Sequence, residues 1–294
     1  MTLTSTALTS PASSGGRLPT FLVIGAMKAG TTSLYHYLDQ HPQIVMSRDK
    51  EPDFFTEEVN WSKGWRWYER QFSHAGPAIL AVGEASTTYT KYPVHRGVAA
   101  RIAEYLPDVR LIYVIRHPID RIRSQYLHRV TIRVENRPFE VAVLEEPMYV
   151  HYSKYAMQLS QYLEHFSRSQ ILILTSEELR ENRRNTVSRA YDFIGVDSDW
   201  VAPNLDKAYF AGEQRRSYPK WVQKIRHKTE VNRFSHLIPE GLKSKVGRPV
   251  QQRALPAVGD VPQDVMERLA DLLRNDVHQL RAYMGPEFQG WGLV

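Results

Sequence analysis

Three short apolar runs stand out in the pattern of hydrophobic and polar positions along the chain. The first is FLVIGA at residues 21–26, the second is VRLIYVIRHP at residues 109–118, and the third is QILILT at residues 170–175. Short, strongly apolar runs of this kind are typical of strands that are buried on both faces of a sheet. The sequence therefore predicts three buried strands.

Each run is followed by a segment with helical spacing. These segments are TTSLYHYLDQH, DRIRSQYLHRV and, after the third run, a helix from about Ser176. The alternation predicts an α/β domain with a mainly parallel sheet, in which ligands bind beyond the carboxyl ends of the strands. A last segment, VPQDVMERLADLLRNDVHQLRAYMG, also has helical spacing, and we expect its apolar residues to pack in the core.

Composition divides the chain into a leader and one domain. Residues 1–19 are rich in Ser, Thr, Gly and Pro but lack the basic start and apolar centre of a signal peptide, so we expect a disordered leader. Residues 20–294 contain no long linker and are expected to form a single domain, in which the basic stretch 221–258 predicts no particular element. Since no apolar run approaches the roughly 20 residues that span a bilayer, we expect a cytoplasmic protein.

The charge balance suggests an anionic ligand or partner. The 294 residues carry a formal net charge of +6, which is also compatible with a module that binds nucleic acid. The sequence contains no cysteine, which excludes disulfides, thiolate metal sites and cysteine nucleophiles.

The turn after the first strand, GAMKAGTT, has the form of a phosphate-binding loop with a displaced lysine. Gly25 and Gly30 have the spacing of a Walker A loop, but Thr31 stands where that loop has its lysine, and Lys28 lies inside the turn. A loop of this kind that opens a helix binds anions through backbone N–H groups and the helix dipole. The expected anion ligands are Lys28, Ala29, Gly30, Thr31, Thr32 and Ser33.

The turn after the second strand, RHPIDR, supplies a separate cation. Arg116 stands at the strand end, where an NTPase needs an aspartate for Mg²⁺, and Ser124 follows eight residues later. We expect Arg116 and Ser124 to bind a second phosphate, which counts against a P-loop kinase, the alternative enzyme. The other arginines of the helix are expected to form a solvated face: Arg121, Arg123 and Arg129.

In this order, the motifs resemble those of sulfotransferases that use 3′-phosphoadenosine 5′-phosphosulfate (PAPS), in the branch that includes heparan sulfate sulfotransferases. GAMKAGTTSL is similar to the family's 5′-phosphosulfate loop, YVIRHPIDRIRSQYLH to its 3′-phosphate element, and KEPDFFT to the segment with its catalytic glutamate. The resemblance covers roughly residues 21–179. It implies a P-loop NTPase-like three-layer fold and transfer of a sulfuryl group from PAPS to a hydroxyl or amine, with adenosine 3′,5′-bisphosphate (PAP) as product and no metal required.

The resemblance also implies roles for individual residues. Lys28 would stabilise the leaving phosphate, and Glu51 would be the general base. From its position in the sequence, Lys50, directly adjacent to Glu51, is expected to tune Glu51 or contact PAPS. Glu84, in GEAS, is either a second candidate acid or a buried structural partner. Three histidines in relevant segments are expected to be structural: His36, His41 and His128.

The chain departs from the animal members of this branch in two places. Ala85 stands where they often have lysine, and a chain without cysteine lacks the disulfide that closes their C-terminal PAPS loop. The corresponding segment here is YFAGEQRRSYPKW. Its expected contacts to the 3′-phosphate and ribose are Gly212, Arg215, Arg216 and Ser217, with Tyr209 or Phe210 near the adenine.

The acceptor is expected to enter over residues 129–155. A polysaccharide groove should be basic throughout, whereas this stretch also contains glutamates at positions 135, 140, 145 and 146. The mixture slightly favours a small-molecule or lipid-like acceptor over a carbohydrate chain.

Overall fold

The computed structural model describes residues 17–207 and 261–294, and its centre is a five-stranded sheet. The strand order is β2-β3-β1-β4-β5, and every neighbouring pair is parallel. The strands are β1 (Phe21–Gly25), β2 (Ile44–Met46), β3 (Ala81–Ala85), β4 (Arg110–Ile115) and β5 (Ile171–Thr175). The predicted parallel sheet is confirmed.

Helices connect the strands and cover both faces of the sheet. Those described are α1 (Thr31–Asp39), α2 (Trp65–Arg70), α3 (Val98–Tyr105), α4 (Pro118–Thr131), α5 (Phe139–Glu145), α6 (Met148–His151), α7 (Tyr155–Leu163), α8 (Ser176–Glu181), α9 (Arg183–Ile194) and α10 (Gln263–Met284). Helix α1 contacts α9, whereas α7 contacts both α3 and α10. Right-handed connections between parallel strands place these two groups on opposite faces, which gives the predicted P-loop NTPase-like three-layer arrangement.

The three strands predicted from apolar runs are β1, β4 and β5, which are consecutive neighbours in the sheet. Every residue of β1 is buried, because helices cover the sheet on both sides. The other two strands, β2 and β3, were not predicted. Strand β2 has only three residues, and β3 carries Gly83 and Glu84 in its interior, so neither forms an apolar run.

The first described residues pack against the domain. The guanidinium of Arg17 donates hydrogen bonds to the carbonyls of Gly76 (3.0 Å) and Ile79 (2.8 Å), and Leu18 contacts the main core. The packed part of the chain therefore includes residues that the prediction assigned to the leader.

The final helix is anchored by a carboxylate, and its apolar face is buried as predicted. Asp276 of α10 accepts hydrogen bonds from the backbone N–H groups of Ala156 (3.0 Å) and Met157 (2.9 Å), in the first turn of α7. The apolar positions buried along α10 are Val265, Leu269, Leu273, Val277 and Leu280.

The expectation of a solvated basic face on α4 is wrong for Arg121. Its side chain is fully buried. The guanidinium donates to the carbonyl of Tyr149 (2.8 Å), to Gln125 Oε1 (2.7 Å) and to the hydroxyl of Ser153. Arg129 is also partly covered, with its guanidinium 5.9 Å from the ring centre of Tyr149. The burial of Arg121 is possible because Tyr149 and Ser153, in the α6–α7 region, supply hydrogen-bond acceptors for its guanidinium.

Candidate active site

The loop between β1 and α1 has the backbone geometry that its glycines suggest. Gly25 has φ +153°, and a Cβ at this position would lie 1.9 Å from Thr90 Oγ1. Lys28 and Gly30 also have positive φ, +71° and +99°. The loop thus turns tightly into the amino terminus of α1, which begins at Thr31. A helix amino terminus reached in this way attracts anions.

The side chains of this loop divide into buried and accessible groups. Ala29 and Thr31 are buried. The backbone N–H of Ala29 donates to the carbonyl of Ala26 (3.1 Å) within the loop, so of these two residues we expect Thr31 to offer its N–H to a ligand. Lys28, Thr32 and Ser33 are partly exposed. These three are therefore the side chains that can reach a ligand above the loop.

Arg116 lies at the same edge of the sheet as this loop. It follows β4, which pairs with β1 so that Gly25 stands opposite Tyr113. The Arg116 carbonyl accepts a hydrogen bond of 2.7 Å from the hydroxyl of Tyr155, and its guanidinium lies 3.6 Å from Asp120 Oδ2. The Arg116 side chain is 31% exposed, so its cation remains accessible to a ligand.

Ser124 lies two turns into α4, the helix that starts directly after Arg116. Pro118 occupies the first turn of this helix, where its fixed φ suits a helix start. Ser124 is partly exposed. One strand end and one helix thus carry both residues predicted to bind a second phosphate.

Glu51 is brought next to the loop by two side-chain contacts. Lys50 Nζ lies 3.6 Å from Glu51 Oε1 and donates a hydrogen bond of 2.7 Å to Thr32 Oγ1 at the start of α1. The hydroxyl of Thr87 donates to Glu51 Oε2 at 3.4 Å. The Glu51 side chain is 37% exposed. The predicted base therefore stands beside the predicted anion loop and is open to solvent.

The residues that follow Glu51 are fixed by the turn after β3. The backbone N–H of Asp53 donates to Ser86 Oγ (2.9 Å), and Asp53 Oδ1 accepts from the hydroxyl of Thr88 (2.6 Å). Burial raises the pKa of Asp53, and the nearby charge of Glu51 adds to the rise. Burial also lowers the pKa of Lys91, although the carboxylates of Asp53 and Glu51 oppose this.

This second group of residues was missed from the sequence. It comprises Asp53, Thr87, Thr88 and Lys91. The available signal was the hydroxyl-rich run STTYT that follows the strand segment GEA.

Glu84 is a buried structural partner rather than a second base. Its carboxyl group is fully buried and accepts hydrogen bonds from Tyr89 (2.6 Å), Tyr68 (3.0 Å) and Ser86 (3.2 Å). Burial raises the pKa of Glu84 to about 8, so the protonated form predominates at neutral pH. An enclosed acid that is mostly protonated is a poor proton acceptor, so Glu51 remains the predicted base.

His41 has a structural role, as expected. It is buried, one ring nitrogen lies 2.9 Å from the carbonyl of Asp197, and the other accepts from the backbone N–H of Gln43 (3.1 Å). His36 and His128 are partly exposed, and burial is the largest cause of a lowered pKa for His36.

One acid of the expected acceptor region is internally neutralised. Glu135 is buried, and the guanidinium of Arg137 donates to both of its carboxylate oxygens, at 2.8 and 2.9 Å. These hydrogen bonds lower the pKa of Glu135 to about 2. Glu135 therefore no longer counts among the four glutamates that disfavour a carbohydrate acceptor.

Six predicted cosubstrate contacts lie outside the described residues: Tyr209, Phe210, Gly212, Arg215, Arg216 and Ser217. Within residues 17–207 and 261–294, no group of three or more histidine, aspartate or glutamate side chains is arranged to hold a metal ion. Over the same ranges, no helix has the length and apolarity needed to cross a membrane.

Fold and site together define an α/β protein of the P-loop type, with a lysine inside the loop and an arginine where a nucleotide hydrolase needs its aspartate. The model of the sulfotransferase domain family matches residues 18–244. The chain belongs to this family, and the resemblance seen in its sequence motifs is confirmed.

Similar proteins include one solved structure of comparable length. The crystal structure of a sulfotransferase from Alicyclobacillus acidocaldarius superposes with a TM-score of 0.67 at 26% identity, covering 94% of this chain and 99% of that chain.

Two curated relatives act on heparan sulfate, according to their names. The bifunctional heparan sulfate N-deacetylase/N-sulfotransferase 2 of Homo sapiens is 29% identical over 202 residues, and the heparan sulfate glucosamine 3-O-sulfotransferase 3A1 of Mus musculus is 30% identical over 192 residues. Each match covers 61% of this chain but only 22% and 46%, respectively, of those proteins. The chain thus spans less than half the length of either relative.

Proposed function

We propose that the protein transfers a sulfuryl group from PAPS to a hydroxyl or amine of an acceptor. The observation that carries the proposal is the position of Arg116, a cation at the end of β4 beside the anion-binding loop that follows β1. PAPS carries its anionic groups in two separate places, the 5′-phosphosulfate and the 3′-phosphate. The two cationic features at one sheet edge match this distribution.

The loop would hold the 5′-phosphosulfate, and the start of α4 would hold the 3′-phosphate. Backbone N–H groups at the end of the loop and in the first turn of α1, with the hydroxyls of Thr32 and Ser33, would bind the 5′ group. Arg116 would bind the 3′-phosphate through its planar fork, and Ser124 would donate one hydrogen bond. Arg215, Arg216 and Ser217 are proposed to complete the 3′ site.

Glu51 would act as the general base, and Lys28 would serve the leaving group. In the reaction, Glu51 accepts the proton of the acceptor while the acceptor oxygen or nitrogen bonds to sulfur and the bond from sulfur to the 5′-phosphate oxygen breaks. Negative charge grows on that phosphate oxygen, where Lys28 stabilises it. Oriented donors of this type typically contribute about 3 kcal/mol to transition-state stabilisation.

A P-loop kinase fits the same residues less well. Thr31 occupies the position of the Walker A lysine, and Arg116 would repel a magnesium ion at the position of the usual aspartate. The acceptor is a carbohydrate or small molecule in this proposal. The cytoplasmic location and transfer without a metal remain predictions.

The test is a calorimetric titration of the protein with PAP and with ATP, without magnesium. Wild type should bind PAP more tightly than ATP. Arg116→Ala should weaken PAP binding by about ten- to hundredfold, which corresponds to the loss of a charge-assisted hydrogen bond. Arg123→Ala, on the same helix, is the matched control and should bind PAP like wild type. Equal binding of ATP, unaffected by Arg116→Ala, would overturn the proposal in favour of a kinase.

A further inference from the structure

The ammonium group of Lys50 lies between the cosubstrate loop and the proposed base. It donates a hydrogen bond of 2.7 Å to Thr32 Oγ1 and lies 3.6 Å from Glu51 Oε1. Thr32 belongs to the first turn of α1, where the proposed function places the 5′-phosphosulfate. One cation therefore touches both halves of the reaction centre.

We propose that Lys50 is a further catalytic residue, which contacts the sulfuryl group of PAPS and leaves Glu51 when it does so. The inference rests on the proposed function. It assigns Lys50 to the group that is transferred, whereas Lys28 serves the phosphate that departs and Arg116 serves the 3′-phosphate.

The backbone on both sides of Lys50 is fixed, so that only its side chain needs to move. On one side, the N–H of Asp49 donates to Gln71 Oε1 (3.0 Å), and the Gln71 amide donates to Asp49 Oδ2 (3.1 Å). On the other side, the N–H of Asp53 is bound to Ser86. With its backbone held in place, Lys50 can bring its ammonium group over the start of α1 by side-chain rotation alone.

The present contact of Lys50 with Glu51 is weak enough to exchange. Both side chains are more than a third exposed, at 38% and 37%. An ion pair with this exposure and separation contributes little to stability, because water screens it. A sulfuryl group bound at the loop offers the ammonium several anionic oxygens in place of one carboxylate oxygen.

Lys91, the other lysine beside the Glu51 segment, is less suited to this contact. Lys91 is partly buried, and its charge interacts with those of Asp53 and Glu51. The end of β3 offers no cation, since Ala85 stands there. Lys50 is thus better placed than Lys91 to meet the transferred group.

The movement of Lys50 from Glu51 to the sulfuryl group would make the availability of Glu51 depend on bound PAPS. While no sulfuryl group is present, Lys50 occupies one oxygen of Glu51. When the ammonium moves to the sulfuryl oxygens, that carboxylate oxygen becomes available to accept the acceptor's proton. PAP, which lacks the sulfuryl group, would not draw Lys50 away.

The experiment compares PAP and PAPS binding in variants at position 50. Affinities are measured by calorimetry on the full chain, without an acceptor, for wild type, Lys50→Met and Lys50→Arg. Lys50→Met should weaken PAPS binding by about ten- to hundredfold, the equivalent of one charge-assisted hydrogen bond, and change PAP binding by less than about threefold. Lys50→Arg should restore most of the PAPS affinity, because it keeps the charge.

A matched variant controls for the loss of one positive charge. Lys63 is exposed, and its ammonium lies 4.3 Å from the ring centre of Trp67. Lys63→Met should bind PAP and PAPS like wild type. Equal weakening of both ligands by Lys50→Met, or no change in either, would overturn the role of Lys50 while leaving the proposed function intact. Failure of the wild type to bind PAP at all would instead overturn the proposed function and this inference together.

Discussion

The hydroxyl of Tyr89 donates a hydrogen bond of 2.6 Å to Glu84 Oε1 and accepts one of 3.3 Å from the backbone N–H of Phe55. A second path runs from Glu84 through Ser86 to the N–H of Asp53. Both paths end in the segment that begins with Glu51. The buried acid of β3 therefore holds the segment that carries the proposed base.

Glu84 should make the stability of the protein depend on pH. Its folded-state pKa of about 8 lies above the ordinary value of 4.5, so the fold favours the protonated form. Stability should therefore fall as the pH rises from about 4.5 to about 8, by on the order of 1 kcal/mol per pH unit from this group.

Glu84→Gln, which is neutral at every pH, should remove this contribution. Urea unfolding of both proteins at pH 5.5 and pH 8 measures the free energy of unfolding in each. The loss on raising the pH should be smaller in the variant. Identical losses in the two proteins would show that Glu84 is already ionised in the folded state at pH 5.5.

Removing the carboxylate of Asp276 should destabilise the fold. Asn can offer only one acceptor oxygen, so in Asp276→Asn one of the N–H groups of Ala156 and Met157 loses its partner. We expect a loss of about 1–3 kcal/mol in the free energy of unfolding, measured by chemical denaturation. Asp271→Asn is the control on the same helix, because Asp271 is exposed, and it should change stability by less than about 0.5 kcal/mol. Equal effects of the two substitutions would contradict the capping role.

Replacing the proposed base should slow transfer without weakening donor binding. With any acceptor that supports turnover, Glu51→Gln should lower kcat by about 10²- to 10⁴-fold, while calorimetry should give a PAP affinity close to that of wild type. Glu57→Gln removes an exposed carboxylate that pairs with Arg101 and should leave kcat unchanged. A Glu51→Gln variant that turns over normally would remove Glu51 from the mechanism.

A methyl group at position 25 should damage the cosubstrate loop. Gly25→Ala would place its Cβ against Thr90 Oγ1 at a backbone angle that side chains rarely adopt, and such strain costs on the order of 1–3 kcal/mol. PAP affinity and thermal stability should both fall. Gly76→Ala, where a Cβ meets nothing within 4 Å, should affect neither. Normal PAP binding by Gly25→Ala would mean that the loop adjusts without cost.

Much of the sheet and half of the site could be predicted from the sequence, for a physical reason. Strands β1, β4 and β5 are continuous apolar runs. The turns after β1 and β4 contain glycines and cations whose spacing indicates anion binding. Strand β3 was not predicted because a glutamate in a sequence suggests an exposed position, and only the fold shows that Glu84 is buried against the hydroxyls of Tyr68 and Tyr89.

The burial of Arg121 was hidden for the same reason. A helical arginine looks solvated in a sequence, and only the fold brings the carbonyl of Tyr149 and the hydroxyl of Ser153 to it. The contact of Lys50 with Thr32 also joins two segments whose proximity no local pattern reveals. Patterns along the chain identify what each element is, but these partnerships depend on how the elements meet.

The buried guanidinium of Arg121 joins two regions that the proposed reaction treats separately. Its helix, α4, carries Ser124 for the donor, and its hydrogen bonds reach residues 149 and 153, in the region where the acceptor is expected. A displacement of the α6–α7 turn would therefore be transmitted to α4. Donor and acceptor should consequently bind with a shared coupling free energy, each altering the affinity of the other by the same factor.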